Sequence, residues 1–246
     1  MAQLIFDFSE ENYIVVGASS GIGKETALRL ASVGACVLAV GRNKERLRQL
    51  YEYDEKHIVT ASADVKNIEY LEAALKNFVQ AKGKLKGGVY SAGFFEYTPV
   101  KSYDKRIAEQ TIQVDFLAAM EFLKLILKPK YIENAASIVL LSSVAAFTNE
   151  KGRLFYSAMK AAINSAVKTA AKEIAPKGIR INSICPGFIN SPMTEEFLSN
   201  NPLIEQRHLL GLGKAEDVAN VALFLLSDAA RRITGTNIIA DGGYTA

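Results

Sequence analysis

The sequence predicts a doubly wound α/β fold, a parallel β-sheet with helices packed on both faces. Two observations carry that expectation. Short apolar, β-branched runs alternate with helical repeats along the chain, and a glycine cluster, GASSGIG, sits where the first run ends and the first helical repeat begins. Parallel strands need long crossovers, usually helices, and are buried on both faces, so they read as near-continuous apolar runs between amphipathic segments.

The elements follow in order. YIVVG (13–17) reads as a buried strand and GIGKETALRLASVG as a helix closed by Gly34. ACVLAVG is a second strand and NKERLRQLYEY a charged helix, after which HIVTASAD, KNIEYLEAALKNFVQ and GGVYSAG continue the alternation. A long helical region at about 101–127 precedes the strand ASIVLLSS, a helix carrying Tyr156, the strand IRINSICPG, a helix around EDVANVALFLLSD and a closing strand TNIIADGG. No internal repeat or Pro/Gly/Ser-rich linker divides residues 1–246, which read as one domain. The least regular stretch, 188–213, is too long for an ordinary connection and is a candidate substrate lid.

Composition narrows the function. The chain has 246 residues, 49% of them hydrophobic, enough to bury one sizeable core. Its 29 basic residues are interspersed with 26 acidic ones, so no basic block points to nucleic acid. Cys36 and Cys185 lie in apolar runs and suit buried strand positions better than a disulfide. His57 and His208 are far apart with no cysteine nearby, so no metal cluster is expected. The N-terminus meets acidic residues without a basic segment before them, and no apolar run approaches the roughly 20 residues of a membrane span. A soluble, cytoplasmic protein is expected.

Gly17, Gly21 and Gly23 close a strand and open a helix. Glycines there let backbone N–H groups approach a diphosphate, whose charge the helix N-terminus favours. A tight turn with glycines for helix packing would use the same residues. A Walker-type loop does not fit, because Ala18 would stand at its first glycine and Glu25 at its hydroxyl position. On the second strand, VGRNK has Gly41 where a ribose-binding acid could stand and Arg42 next. A guanidinium matches a phosphate bidentately and no carboxylate repels it, which favours NADP(H) over NAD; a merely solvated Arg42 is the alternative.

Tyr156 and Lys160, in YSAMK, share a helix face. Packing of the ring under the lysine stem is one account. The other is chemical: a tyrosine titrates near pH ~10, and a neighbouring cation favours its phenolate, bringing proton exchange closer to neutral pH.

In order along the chain, GASSGIG, ADV (63–65), SAG (91–93), a serine before YxxxK, and PG (186–187) after a strand resemble the short-chain dehydrogenase/reductase family from about residue 10 onward. The resemblance implies a Rossmann-like sheet of seven parallel strands ordered 3-2-1-4-5-6-7. It implies that Gly17, Ser19, Ser20, Gly21, Ile22, Gly23 and Arg42 contact NADP(H) and that Asp64 and Val65 flank the adenine. By the same likeness Ser91, Ala92 and Gly93 line the nicotinamide ribose side, and Pro186, Gly187, Ile189 and Ser191 hold the nicotinamide face. Ser143, 13 residues before Tyr156, takes the position of the family's catalytic serine. Ser143 and Tyr156 would then hydrogen-bond a substrate carbonyl, Tyr156 would protonate the alkoxide, and Lys160 would also bind the cofactor ribose.

Two departures stand out. The family usually has an asparagine, holding a relay water, where this chain has Asp115; a carboxylate accepts from water but does not donate, and it brings a negative charge near Lys160. The family's Asn-Asn-Ala-Gly run is here Tyr90-Ser91-Ala92-Gly93. For the substrate, Phe94, Phe95, Phe147 and Phe155 suggest an apolar wall, while Lys151, Arg153, Arg207 and His208 could meet an anion or simply be solvated. The expected partner is a small carbonyl or secondary alcohol such as a 3-oxoacyl thioester or a sugar. Ala158, Ala161, Ala162, Ala166 and Ala170 let helices approach closely, which by resemblance implies a dimer interface within a tetramer, or else internal packing. A non-catalytic NADP-binding regulator or scaffold is the alternative; it would keep Gly17, Gly21 and Arg42 but need not keep Ser143, Tyr156 and Lys160 together.

Overall fold

The computed structural model of the chain describes residues 6–191, 194, 198, 199, 201 and 203–246. Among them seven strands form one parallel sheet: β1 (Asn12–Val16), β2 (Cys36–Gly41), β3 (Ile58–Ser62), β4 (Leu85–Tyr90), β5 (Ile132–Leu141), β6 (Arg180–Pro186) and β7 (Asn237–Ala240). Their spatial order is β3-β2-β1-β4-β5-β6-β7, as the resemblance implied. Val16 at the end of β1 pairs with Val40 of β2 on one side and Tyr90 of β4 on the other. The strand order reverses between β1 and β4, and in doubly wound sheets the crevice beyond the strand C-termini at that point is the ligand site.

The helices are α1 (Gly21–Ser32), α2 (Lys44–Tyr53), α3 (Ile68–Lys82), α4 (Lys105–Ile112), α5 (Ala118–Ile126), α6 (Ala145–Thr148), α7 (Leu154–Ile174), α8 (Leu203–Gln206) and α9 (Ala215–Leu226). Local chemistry starts three of them. The side chains of Asn43, Asn67 and Asp104 accept hydrogen bonds from Arg46 N, Glu69 N and Arg106 N, satisfying N–H groups that have no intrahelical partner. The helical region expected at about 101–127 therefore begins at Lys105, after its Asp104 cap. It is also broken by a π-helical turn at Gln113–Leu117, whose extra residue per turn changes which side chains face the sheet.

Alternation along β1 divides the core. Ile14 and Val16 join a cluster on one sheet face with Leu71 and Leu75 of α3, Phe122 of α5 and Ile163 and Val167 of α7. Tyr13 and Val15 point to the other face, where Ala27 and Leu30 of α1 meet Val218 and Ala222 of α9. Arg180, buried at the start of β6, donates to the carbonyls of Leu225 (2.6 Å), Leu226 (3.2 Å) and Ser227 (3.0 Å), so one guanidinium satisfies the open C-terminal end of α9. Both thiols are free; Cys185 is fully buried as expected, whereas Cys36, the first residue of β2, is only half-buried. Among the described residues no helix is long and apolar enough to cross a membrane.

The ends of the 188–213 stretch lie side by side. Asn190 N donates to Gly213 O (3.1 Å) and Gly213 N to Phe188 O (3.2 Å), so the segment leaves β6 and returns to α9 through one pinned base. The proposed lid itself lies partly outside the described residues, at 192, 193, 195–197, 200 and 202.

Candidate active site

The chain leaves β1 at Val16 and turns through Gly17 into α1. Gly17 has φ +90°, and a Cβ there would stand 2.5 Å from the backbone nitrogen of Ala92, so both the backbone angle and the loop after β4 require glycine. Gly21 opens α1 at φ +53° and borders the cleft, where a Cβ would meet nothing within 4 Å. It leaves open the space at a helix N-terminus that a diphosphate needs, and in this respect the loop fits a dinucleotide.

One cleft at the C-terminal ends of the strands is bordered by nearly the whole expected set. Gly17, Ser19, Ser20, Gly21 and Ile22 form one wall, Arg42, Asp64 and Val65 one end, and Ser91, Ala92 and Gly93 the floor beyond β4. Ser143, Tyr156 and Lys160 stand at the other end, with Pro186, Gly187, Ile189 and Ser191 closing it from β6. Gly23 is the exception in the glycine loop: it is buried behind the turn against the Gly17 carbonyl, where it allows α1 to pack closely. Beyond Arg42, Ser62, Lys66, Asn67 and Tyr70 edge a shallow depression that shares Arg42 and Asp64 with that end of the cleft.

β5 and α7 bring Ser143, Tyr156 and Lys160 to one cleft. β5 ends at Leu141 and delivers Ser142 and Ser143 to the cleft; Ser143 Oγ accepts from Ala145 N (3.1 Å). Tyr156 lies in the first turn of α7 and Lys160 one turn on. Ser142 Oγ donates to the Lys160 carbonyl (3.0 Å) and Lys160 Nζ donates to the Leu141 carbonyl (3.1 Å), which ties α7 to the end of β5. The Lys160 ammonium is 5.4 Å from the centre of the Tyr156 ring, and Phe95 meets that ring edge-on at 5.3 Å.

Asp115 does not border the cleft. It lies in the π-helical turn, buried, with Oδ1 2.9 Å from Lys160 Nζ, the side chains being 0% and 5% exposed. Its Oδ2 accepts from Phe94 N (3.1 Å), and Tyr90 OH donates to Val114 O (2.7 Å), so the turn is fixed to the end of β4 from two sides. The Lys160 contact is an ion pair by distance but leaves Oδ1 without a well-aligned hydrogen bond, so the attraction is chiefly coulombic. Burial pushes the Asp115 carboxyl up, a rise that the Lys160 charge opposes. For Lys160 burial works downward, but the charges of Asp115 and Tyr156 outweigh it and raise the ammonium.

The substrate side differs from the sequence expectation. Phe94 borders the cleft and Phe95 packs on Tyr156, but Phe155 meets Tyr103 edge-on (4.9 Å) and Phe147 is half exposed, so the four phenylalanines form no single wall. Lys151 and Arg207 are exposed, whereas Arg153 and His208 are buried rather than solvated. Arg153 lies between the rings of Phe95 (4.7 Å) and Phe188 (4.6 Å). His208 accepts from Phe188 N (3.2 Å) and reaches the Ile204 carbonyl (2.9 Å), joining the far side of the 188–213 segment to the end of β6. Sequence reading missed Ala63, Leu141, Ser142, Gln110, Val114 and Thr194, which also border the cleft. The i,i+4 spacing of Gln110 and Val114 could have paired those two; nothing local marks Thr194.

A parallel sheet with its cleft at the switch point and a glycine turn opening the first helix defines a dinucleotide-binding α/β protein. Residues 17–245 match the family model described as "Enoyl-(Acyl carrier protein) reductase". A short-chain dehydrogenase/reductase of Botryotinia fuckeliana, aba4, is 33% identical, with 96% of this chain and 97% of that protein covered. The 3-oxoacyl-[acyl-carrier-protein] reductase FabG of Thermotoga maritima is 32% identical over 94% of this chain and 96% of its own length. Among solved structures, a short-chain dehydrogenase/reductase from Brucella melitensis superposes with a TM-score of 0.92 at 28% identity, covering 98% of this chain and 99% of that one. The chain belongs to the short-chain dehydrogenase/reductase family, oxidoreductases that interconvert C=O and CH–OH groups with a nicotinamide dinucleotide.

Proposed function

We propose that the protein is an NADP(H)-dependent oxidoreductase of ketones and secondary alcohols in which Ser143, Tyr156 and Lys160 carry the proton chemistry. The observation behind this reading is that one cleft gathers the glycine turn, Arg42 and these three side chains from distant parts of the sequence. Bound there, a nicotinamide dinucleotide exchanges hydride with the substrate carbon. Ser143 and Tyr156 hold the substrate oxygen by their hydroxyls. Tyr156 gives its proton to that oxygen during reduction and takes one during oxidation, and the Lys160 ammonium on the same helix face stabilises the phenolate form. Asp115 acts behind Lys160 where the family's relay asparagine usually stands.

Arg42 supports the choice of NADP(H). It stands at the adenosine end of the cleft, and Ser62, Lys66 and Asn67 add donors around the adjoining depression for a ribose 2′-phosphate. A 3-oxoacyl thioester is the first substrate to test, because one relative is named as a 3-oxoacyl reductase; sugars and other ketones follow. The same reading makes residues 1–246 one cytoplasmic domain that assembles as a dimer or tetramer. Ala158 and Ala161 of α7 face outward, and Leu117 of the π-helical turn and Leu154 of α7 are each more than a third exposed, which suits a helix-to-helix contact between copies.

Titration of the protein with NADPH and separately with NADH, followed by nicotinamide fluorescence, tests the cofactor. NADPH-linked reduction of acetoacetyl-coenzyme A tests the chemistry. Tighter binding of NADPH with turnover is expected; binding of neither dinucleotide would overturn the reading.

A further inference from the structure

The buried contact between Asp115 and Lys160 has no part in hydride or proton transfer as described above, yet it sits directly behind the residues that perform it. We propose that Asp115 is a positioning residue that retains Lys160 in a buried, net-neutral pair and thereby sets the site for carbonyl reduction rather than alcohol oxidation. The inference rests on the Ser143, Tyr156 and Lys160 reading.

Geometry explains why a carboxylate is needed. Asp115 Oδ2 accepts from Phe94 N–H, and Oδ1, without a well-aligned hydrogen bond, faces the Lys160 ammonium at 2.9 Å. An amide has one acceptor and one donor end. If its oxygen kept Phe94 N–H, its NH2 would face the ammonium; if it turned to Lys160, its NH2 would face a backbone N–H. Only the carboxylate serves both neighbours, and the position is isosteric with the amide that it excludes.

The charges around Tyr156 show the consequence. Two cations face it, Lys160 from α7 and Arg153 just before that helix. Each has a carboxylate acting on it: Asp115 from the π-helical turn on Lys160, and Glu150 from the preceding loop on Arg153. The other titratable groups packed nearby are uncharged at neutral pH, since burial pushes the Cys185 thiol on β6 and the Tyr90 hydroxyl on β4 upward. An uncompensated Lys160 would favour the phenolate, the proton acceptor that alcohol oxidation needs. Paired with Asp115, the stabilisation that Lys160 gives the phenolate is partly offset, which retains the hydroxyl proton that reduction transfers. In reduction the hydride goes to the carbonyl carbon, the Tyr156 proton goes to the carbonyl oxygen, and a proton from solvent restores Tyr156.

Ultraviolet difference titration of tyrosinate tests this without a substrate. The Tyr156 step is the difference between a protein and the same protein carrying Tyr156→Phe, measured in the natural and the Asp115→Asn backgrounds. Asp115→Asn is expected to move that step to lower pH by about one unit, because an opposing charge close to the cation has been removed. Asp115→Ser gives the same measurement if the amide variant fails to fold. A purely structural role would lower thermal stability and leave the step in place; an unmoved or raised step, or no step in either background, overturns the proposal. Turnover of acetoacetyl-coenzyme A by Tyr156→Phe is the separate check: normal turnover would remove Tyr156 as the acid even if the step had moved.

Discussion

Arg42→Ala probes the cofactor assignment at one side chain. Arg42 is exposed and borders the cleft beside a depression edged by Ser62, Lys66 and Asn67. A charge-assisted contact to a 2′-phosphate is worth about 1.5–3 kcal/mol when desolvated, and solvent at an exposed site holds it to the lower end. Lys66 remains nearby and keeps part of the positive field, although its ammonium is 3.8 Å from Asp64. A loss of about 1.5 kcal/mol corresponds to roughly tenfold weaker NADPH binding. NADH, which has no 2′-phosphate, should be unaffected. The assay is fluorescence titration of both dinucleotides at low and high salt, and the difference between natural and variant proteins should narrow as salt screens the contact. Equal weakening of NADPH and NADH would show that Arg42 supports the pocket rather than the phosphate, and no change in either would remove it from the site.

Tyr156→Phe keeps the ring that Phe95 packs against and removes only the hydroxyl, so thermal stability and NADPH binding should hold while NADPH-linked reduction falls by ~10²–10⁴-fold, the usual scale of general acid catalysis. Glu72 accepts from Lys128 (2.8 Å), Tyr131 (2.9 Å) and Lys130 (3.4 Å), and these hydrogen bonds, that of Lys128 foremost, lower its carboxyl from 4.5 to about 2. Because the folded value lies below the unfolded one, the stability it contributes is present above pH 4.5 and is lost as pH falls toward 2; Glu72→Gln should flatten that part of an acid unfolding curve, and an unchanged curve would discount the cluster. Phe122 is fully buried with its ring 5.5 Å from that of Tyr90, so Phe122→Ala should cost about 3–5 kcal/mol in urea unfolding, and a loss under ~1 kcal/mol would mean the core collapses around the gap.

The strands were legible because their signal is local. Apolar runs such as YIVVG and IRINSICPG announced β1 and β6, and the glycines of GASSGIG announced the turn between β1 and α1. The helical region around 101–127 was less so. Its start depends on the Asp104 cap and its interior on a π-helical turn, which leaves no periodicity to read when only five residues depart from the α repeat. The placement of Gly23 behind the loop rather than in the cleft wall was equally hidden, since spacing does not say which glycine faces a ligand and which faces a helix.

For the candidate site, sequence order named most of the residues that border the cleft, because most stand just beyond a strand and the parallel sheet carries those ends to one edge, where α1 and α7 add Ile22, Tyr156 and Lys160. Charges were harder. Arg153 and His208 look like solvated surface residues in sequence, and they are buried because aromatic and backbone partners arrive from loops far along the chain.

The sequence by itself determined the order of elements, the glycine turn and the spacing of Tyr156 and Lys160, all properties of neighbouring residues obeying backbone and helix geometry. Only the tertiary structure decided that Asp115 meets Lys160 at 2.9 Å inside the protein. Their pairing depends on how a π-helical turn, the end of β4 and α7 pack against one another, and the strength of a buried charge contact is set by that enclosure rather than by the identity of either residue.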